Sequence, residues 1–366
     1  MYKIKRFFKF IAYPYAKSYL KTLSQRKIPI TLLATGAGLL GVDIWYYLYL
    51  FLGNAPIATS QLEDWITVAS KVVGLLLIGL GGYWCHRLMV KAENTEEEKS
   101  KVILKQFSID SSEKNETSNN PKSLMYVILD QRKNDDESKV NWIKRCLNQQ
   151  KEKIEDYFYV AERWDQPASY YEGLAHIPFV FLLGYQVSDK INFSFSEWNE
   201  HAKKWIPLPE IADNFPSLVL EKNIQESEKE ATDVTICISL TSSIQEWQLE
   251  GLIAQDCNIY HLKLKECKRH AIVCLKQLEE YKHQFRKLLD EINNTYPRLR
   301  TVHIFISAQT SLVFNIGSAL TRNDKETWIY NYEVNSKPLY PWGIKAHKAT
   351  KKGYQTDKYI KIVEEE

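Results

Sequence analysis

"AHIPFVFLLG" at residues 175–184 lies over "AQTSLVFNIG" at 308–317 with a constant offset of 133. The two share their first Ala, their last Gly and an internal Val-Phe pair, and both are apolar for most of a helix's length. Past a short insertion the offset becomes 137, so that "INFSFSE" (191–197) falls over "WIYNYEV" (328–334) and Trp205 over Trp342. A helix, a strand and a Trp in the same order twice predict a duplicated α/β unit.

Outward from that repeat the chain alternates. Strands are expected at "LMYVILD" (124–130), "DYFYVAE" (156–162), "INFSFSE", "DVTICISL" (233–240), "TVHIFIS" (301–307) and "TWIYNYE" (327–333). Helices are expected at "SKVNWIKRCLNQQKEKIE" (138–155), "HIPFVFLLGYQV" (176–187), from about Lys265 to Asn293, and at "SLVFNIGSAL" (311–320). Strands alternating with helices predict an α/β domain with largely parallel sheets.

The first quarter reads differently. Residues 28–52 carry one charge, Asp43, and residues 65–88 are apolar apart from Lys71, His86 and Arg87. Each run is about the ~20 residues that span a bilayer as a helix. "GAGLLG" (36–41) has the spacing of a dinucleotide-binding loop, but no strand, turn and amphipathic helix surround it. Its glycines, with the small-x-x-x-small pairs Ala37/Gly41 and Ser70/Gly74, are read as helix-packing residues. The expectation is a two-helix transmembrane hairpin over 28–88, with membrane lipid as a partner. Residues 1–27 hold eight Lys or Arg and no acid, while the loop 53–64 holds no Lys or Arg. The positive-inside rule then places both termini in the cytoplasm of a bacterial inner membrane. Two readings of 1–27 stand side by side: a segment on an anionic leaflet, or a tail that only fixes topology. It is not a signal peptide, having too long a basic region and no small-residue cleavage site. Asp43 and Lys71 fall at similar depths, as an ion pair or the lining of a polar path, unless Lys71 snorkels outward. Residues 89–121 read as a polar linker with a short ordered piece at "KVILKQFSI", and 122–366 as the folded domain.

Six cysteines without disulfide-like spacing fit a reducing compartment. Cys267, His270 and Cys274 would share one face of the expected long helix, but no fourth ligand is spaced for zinc, and no metal is expected. The common hydrolase and nucleotide-binding signatures are absent from the sequence, so catalysis is not expected.

In a sheet of this kind ligands sit beyond the carboxyl ends of strands. Those ends supply Asp130, Gln131 and Arg132; Thr241 and Ser242, with Ser243; and Gln309, Thr310 and Ser311, opposite Glu172, Gly173 and His176 of the first half. Hydroxyls and N–H groups at a helix start suit phosphate. Arg132 or Arg163 would add charge, and Trp164, Trp198 or Tyr332 a stacking surface for a base. Each also has a structural role open to it: Thr310 and Ser311 as helix caps, Arg132 as a solvated loop charge, His176 as a satisfied helix-start residue, and the Trps as packing.

"VHIFISAQTSLVFNIGSALTRNDKETWIYNYEVNSKPLYPWGIKA" (302–346) resembles the C-terminal signature of SAVED domains. The matching pieces are the strand at His303–Ser307, the helix at Leu312–Gly317, the strand at Trp328–Tyr332, and Tyr340-Pro341. Gln309-Thr310 departs from the Pro that the family often has after the first of these strands. The resemblance extends over roughly 122–350. It implies two fused CARF-like units that bind a cyclic oligonucleotide, a cyclic tri- or dinucleotide, made by a cognate nucleotidyltransferase. With two membrane helices ahead of the domain, it further implies an effector of cyclic-oligonucleotide-based antiphage signalling (CBASS) that forms homo-oligomers and breaches the inner membrane, causing abortive infection. DNA or RNA polymers are not implied as partners. Two rivals remain: a tethered scaffold, and an enzyme that cleaves its bound cyclic nucleotide.

Overall fold

The computed structural model describes residues 31–32, 34–36, 69, 71–87, 100–109, 123–164, 167–188, 190–212, 214–225, 227, 230–347, 353–354 and 357–363. The chain divides into two compact units, Met1–Lys99 and Ser100–Glu366.

In the first unit residues 71–87 are helical, as are the described residues of 31–36. A Cβ on Gly36 would lie 2.7 Å from the Gly74 carbonyl oxygen, so the two helices meet where neither has a side chain. Among the described residues no helix is long and apolar enough to cross a membrane. This overturns the expected transmembrane hairpin and the inner-membrane location that rested on it. Most of the expected span 28–52, with Asp43, lies outside the described residues. Lys71 is exposed on its helix.

The second unit holds two sheets. The first has the order β2-β1-β3-β4-β5, from β1 (Lys101–Phe107), β2 (Leu124–Asp130), β3 (Ala168–Leu174), β4 (Phe193–Asn199) and β5 (Lys204–Pro207). The second has the order β12-β11-β10-β9-β7-β8-β6. Its strands are β6 (Val219–Asn223), β7 (Asp233–Ser239), β8 (Asn258–Lys263), β9 (Thr301–Ser307), β10 (Glu326–Asn331), β11 (Trp342–Lys345) and β12 (Ile360–Ile362). Four strands of each half, β2-β1-β3-β4 and β8-β7-β9-β10, are parallel; antiparallel strands flank them at β5, β6, β11 and β12, and β2 is a parallel edge. Among the described residues four α-helices connect them: α1 (Lys139–Arg163), α2 (Ile177–Val187), α3 (Leu275–Thr295) and α4 (Thr310–Ser318).

Several sequence expectations shift. "DYFYVAE" is the end of α1, not a strand. Its Tyr157 and Val160 continue the buried stripe of Ile143, Leu147 and Ile154, and that helical periodicity outweighs the β-propensity of Tyr, Phe and Val. The strand in that half is β3, "ASYYEGL". "KVILKQF", placed in the polar linker, is β1, paired on both sides. The long second-half helix begins at Leu275, and the chain before it is loop, so Cys267, His270 and Cys274 do not share a helix face.

The duplication is exact at its centre. β3 and β9 correspond at 133 from end to end. Trp198 pairs with Trp205 across β4 and β5, and Asn331 with Trp342 across β10 and β11. The extra residues therefore lie in the β10–β11 connection, after the strand where the sequence comparison had placed them before it. α2 and α4 cross reciprocally. A Cβ on Gly184 would collide with the Phe314 carbonyl oxygen, and one on Gly317 with that of Phe181, the same pair of positions exchanged. This is the self-complementary contact of a two-fold interface, built inside one chain. One hydrophobic core runs through both halves around it, including Phe179, Phe181, Leu183, Leu312, Val313 and Phe314.

Candidate functional site

The two-fold crossing brings the carboxyl ends of β3 and β4 opposite those of β7, β9 and β10. Between them opens a cleft of about 840 Å³. Its floor in the second half is a cluster of hydroxyls. Ser307 ends β9, and its Oγ lies 2.8 Å from both Thr241 Oγ1 and Ser242 Oγ. The Ser242 N–H also donates to Ser307 Oγ at 3.1 Å. Beside this cluster α4 begins, with Gln309 as its N-cap. Thr310 Oγ1 donates to the Gly173 carbonyl of β3 at 2.8 Å, and Ser311 Oγ donates to Glu197 Oε1 of β4. The start of α4 is thus tied to the first half by two side chains.

In the first half the corresponding N-cap is His176, whose backbone N–H donates to Ser108 Oγ at 2.6 Å while its Nδ1 lies 2.6 Å from the same oxygen. Burial among Trp142, Phe179 and Trp342 pulls its pKa down to about 4, so the ring is neutral at pH 7. α2 carries Pro178 in its first turn, which removes an N–H donor that α4 retains. The cleft also takes Trp198 from β4 and Tyr332 from just past β10. Trp198 rests on Trp205 at 5.5 Å and Tyr332 on Tyr340 at 5.4 Å. Arg269 and His270 reach the rim from the loop before α3. Among the described lining residues Arg269 is the only Lys or Arg. Glu197, enclosed between the halves, has its carboxyl pKa raised by burial against the opposing pull of Ser311 and Gln309.

Of the residues singled out from sequence, His176, Trp198, Thr241, Ser242, Ser243, Gln309, Thr310 and Tyr332 line this cleft. Ser311 is buried just behind it. The others lie elsewhere. Asp130 and Arg132 form an exposed ion pair that lowers the Asp130 pKa. Gln131 is fully buried, donating to Gln150 Oε1 at 3.1 Å and accepting from Gln106 at 2.8 Å. Arg163 and Trp164, at the end of α1, line a separate groove with Met125 and Tyr159. Glu172 is within β3 and pairs with Lys105 at 3.3 Å.

Sequence reasoning passed over Ser307, Arg269 and Glu197. Glu197 carried a signal: it follows Phe193 and Phe195 at the inward positions of an alternating strand, where an acid is out of place. Ser307 is the last residue of β9, one place before the loop in which hydroxyls were sought.

The arrangement presents hydroxyls and a helix N-terminus to an anion, and aromatic surfaces to planar rings. Among the described residues no group of three or more His, Cys, Asp or Glu is placed to hold a metal ion.

Comparison with known proteins gives one family match. The sequence model of SAVED, the SMODS-associated and fused to various effectors sensor domain, matches residues 150–345. Among solved structures, the Acinetobacter baumannii Cap4 SAVED/CARF-domain containing receptor is similar in its form with the cyclic trinucleotide 2'3'3'-cAAA, at 15% identity and TM-score 0.45 over 76% of this chain and 59% of that one. The form with 3'3'3'-cAAA matches at 14% identity and TM-score 0.46 over 78% and 60%. The chain thus spans about 60% of the length of the Cap4 chain. No curated protein matches it.

Proposed function

The chain belongs to the SAVED family of sensor domains, and from that premise we propose that Ser100–Glu366 is a receptor that binds one cyclic oligonucleotide per chain in the cleft between its two halves. The observation that carries this reading is the cleft itself: about 840 Å³, at the convergent carboxyl ends of two duplicated sheets. That volume is at the large end of the ~300–1,000 Å³ of small-molecule sites, as an oligonucleotide requires. Phosphates are taken by the hydroxyls of Thr241, Ser242 and Ser307 and by the start of α4, with Arg269 at the rim. Bases lie against Trp198 and Tyr332. With one guanidinium among its described lining residues, the cleft suits a small, enclosed anion, and a polymer would ask for a basic track along the surface.

In this reading the ligand is a second messenger of CBASS-type antiphage defence, made by a cognate nucleotidyltransferase. Binding promotes assembly of copies of the chain, and Met1–Lys99 carries the output. The site senses and does not cleave. The test is calorimetry of the full chain against cyclic di-, tri- and tetranucleotides, beginning with cyclic trinucleotides, followed by chromatography of the recovered ligand. One tight binder, recovered intact, supports the receptor. Recovery of linear products turns the reading toward the enzyme, and no binding to a folded chain removes it.

A further inference from the structure

The two sheets of the sensor unit have four edges among the described residues, and three of them are blunted. β5 has four residues and ends in Pro207, β12 has three and carries Lys361, and β6 has five with Glu221 and Lys222. Short length, charge and Pro are what keep an edge strand from pairing with another chain. β2 lacks all three protections. It runs seven residues, "LMYVILD", with no charge before its last position and no break in its register against β1. The Gln131 N–H donates to the Phe107 carbonyl and the Lys101 N–H to the Ser123 carbonyl, so the odd-numbered residues bond to β1. The N–H and C=O groups of Leu124, Tyr126, Ile128 and Asp130 therefore point away from it. Beside this edge α1 leaves a groove of about 350 Å³ lined by Met125, Tyr159, Val160 and Trp164. Tyr159 is 66% exposed there.

The second half shows what belongs at such an edge. β8 stands in the place of β2, and its outer edge is covered by β6, antiparallel, with Leu220 opposite Leu262 and Lys222 opposite Tyr260. Lys222 reaches Glu291 of α3 at 2.6 Å, so β6 fills the angle between strand and helix that stays open in the first half. Within the sensor unit the longest stretch outside the described residues, 110–122, reads "DSSEKNETSNNPK" and offers the groove no Val, Ile, Leu, Met or aromatic residue. We propose that a second copy of the chain supplies the missing strand. β2 pairs antiparallel with the β2 of that copy about a two-fold axis at Val127, joining two five-stranded sheets into one. In this register Tyr126 faces Ile128 of the partner subunit and Leu124 faces Asp130 of the partner subunit. Each outward N–H then meets a carbonyl, and the two Asp130 carboxylates lie at opposite ends of the ladder. The same axis brings the α1 faces together and covers Met125 and Tyr159. The dimer needs no ligand and stands apart from the receptor reading.

The test is sedimentation equilibrium of the full chain, without ligand, over the micromolar range. Wild type is expected at twice the chain mass. Ile128→Pro removes one outward N–H and leaves the bonds to β1 in place, a change that an edge strand accommodates, and it is expected to sediment as a monomer. Tyr159→Lys, at an exposed site on α1, leaves β2 untouched and is expected to weaken the dimer about tenfold or more. Circular dichroism checks that each variant is folded. Should Ile128→Pro fail to fold, Tyr159→Lys decides alone. A dimer that either folded variant retains at wild-type strength overturns the proposal, because the copies then meet elsewhere. A wild-type chain that is monomeric throughout overturns it as well, and leaves the edge to a strand of a different protein.

Discussion

Where the first half of the sensor unit carries Gln106, the second carries Ile238; where the first has Gly173 and Gln131, the second has Ile306 and Leu264. These equivalences follow from strand register, since Gln106 lies beside Gly173 and Leu129 as Ile238 lies beside Ile306 and Leu262. The first half fills this place with a buried polar ladder: Tyr171 donates to Gln106, Gln106 to Gln131, Gln131 to Gln150, Gln150 to Gln186 and Gln186 to Tyr354. The second half fills it with aliphatic packing. At the cleft the polarity reverses. The second half supplies the hydroxyl floor and an open helix start, whereas the first supplies Pro178, a neutral His176, Glu197 and Trp198. In the proposed reading the hydroxyls for phosphate lie in the second half, while ring surfaces come from both, Trp198 from the first and Tyr332 from the second.

The sharpest way to break this comparison is at the point the halves share. Gly184→Val and Gly317→Val each drive a side chain into a backbone carbonyl that cannot rotate away. Each is expected to cost about 3 kcal/mol or more, read as a lower denaturation midpoint. Similar losses at both positions fit the reciprocal crossing, and tolerance of one but not the other contradicts it.

His176→Gln gives the first half the N-cap of the second. The native His176 pKa is held at about 4, below an unfolded value near 6.5, so the unfolded chain takes up a proton first as the pH falls. Stability from this group is intact above about pH 6.5 and lost progressively down to about pH 4, by roughly 2–3 kcal/mol. Urea denaturation across that window is expected to show a shallower fall for the variant. A slope equal to wild type would mean that the ring is not buried neutral.

Gln131→Leu installs the residue of the second half in the ladder. It strips partners from Gln106 and Gln150, and a loss of about 2 kcal/mol is expected from those unsatisfied groups. An unchanged midpoint would show the ladder to be replaceable by the packing that its counterpart uses. The smallest effect is expected of Thr310→Val, which approaches the Ile177 of the first half. It removes the hydroxyl bond to Gly173 at a cost of about 1 kcal/mol, measurable as a small shift in midpoint.

How much of this the sequence disclosed depended on where the deciding contacts lay. Strands such as "DVTICISL" and "TVHIFIS", buried on both faces, announce themselves as apolar runs. β3 does not, because its Gly and Glu are explained only by neighbours: Tyr171 occupies the space beside Gly173, and Lys105 pairs with Glu172. β1 hides among polar residues. "DYFYVAE" misleads because its aromatic residues serve a helical stripe set by residues a dozen positions earlier. In the site, helix-start and strand-end residues were visible as types in a pattern. Gln131 was equally polar and equally placed, and only the ladder beneath it shows why it points inward. The membrane hairpin came from hydropathy alone, and among the described residues no helix is long and apolar enough to cross a membrane.

The most direct measurement is isothermal titration of the full chain, wild type and Ser307→Ala, with the cyclic trinucleotide that binds best. Ser307 joins Thr241 and Ser242 at the cleft floor, so the account predicts one ligand per chain for wild type and about tenfold weaker binding for the variant at unchanged stoichiometry. Undiminished binding by a folded Ser307→Ala chain would place the ligand somewhere other than the cleft between the halves, and would contradict the account.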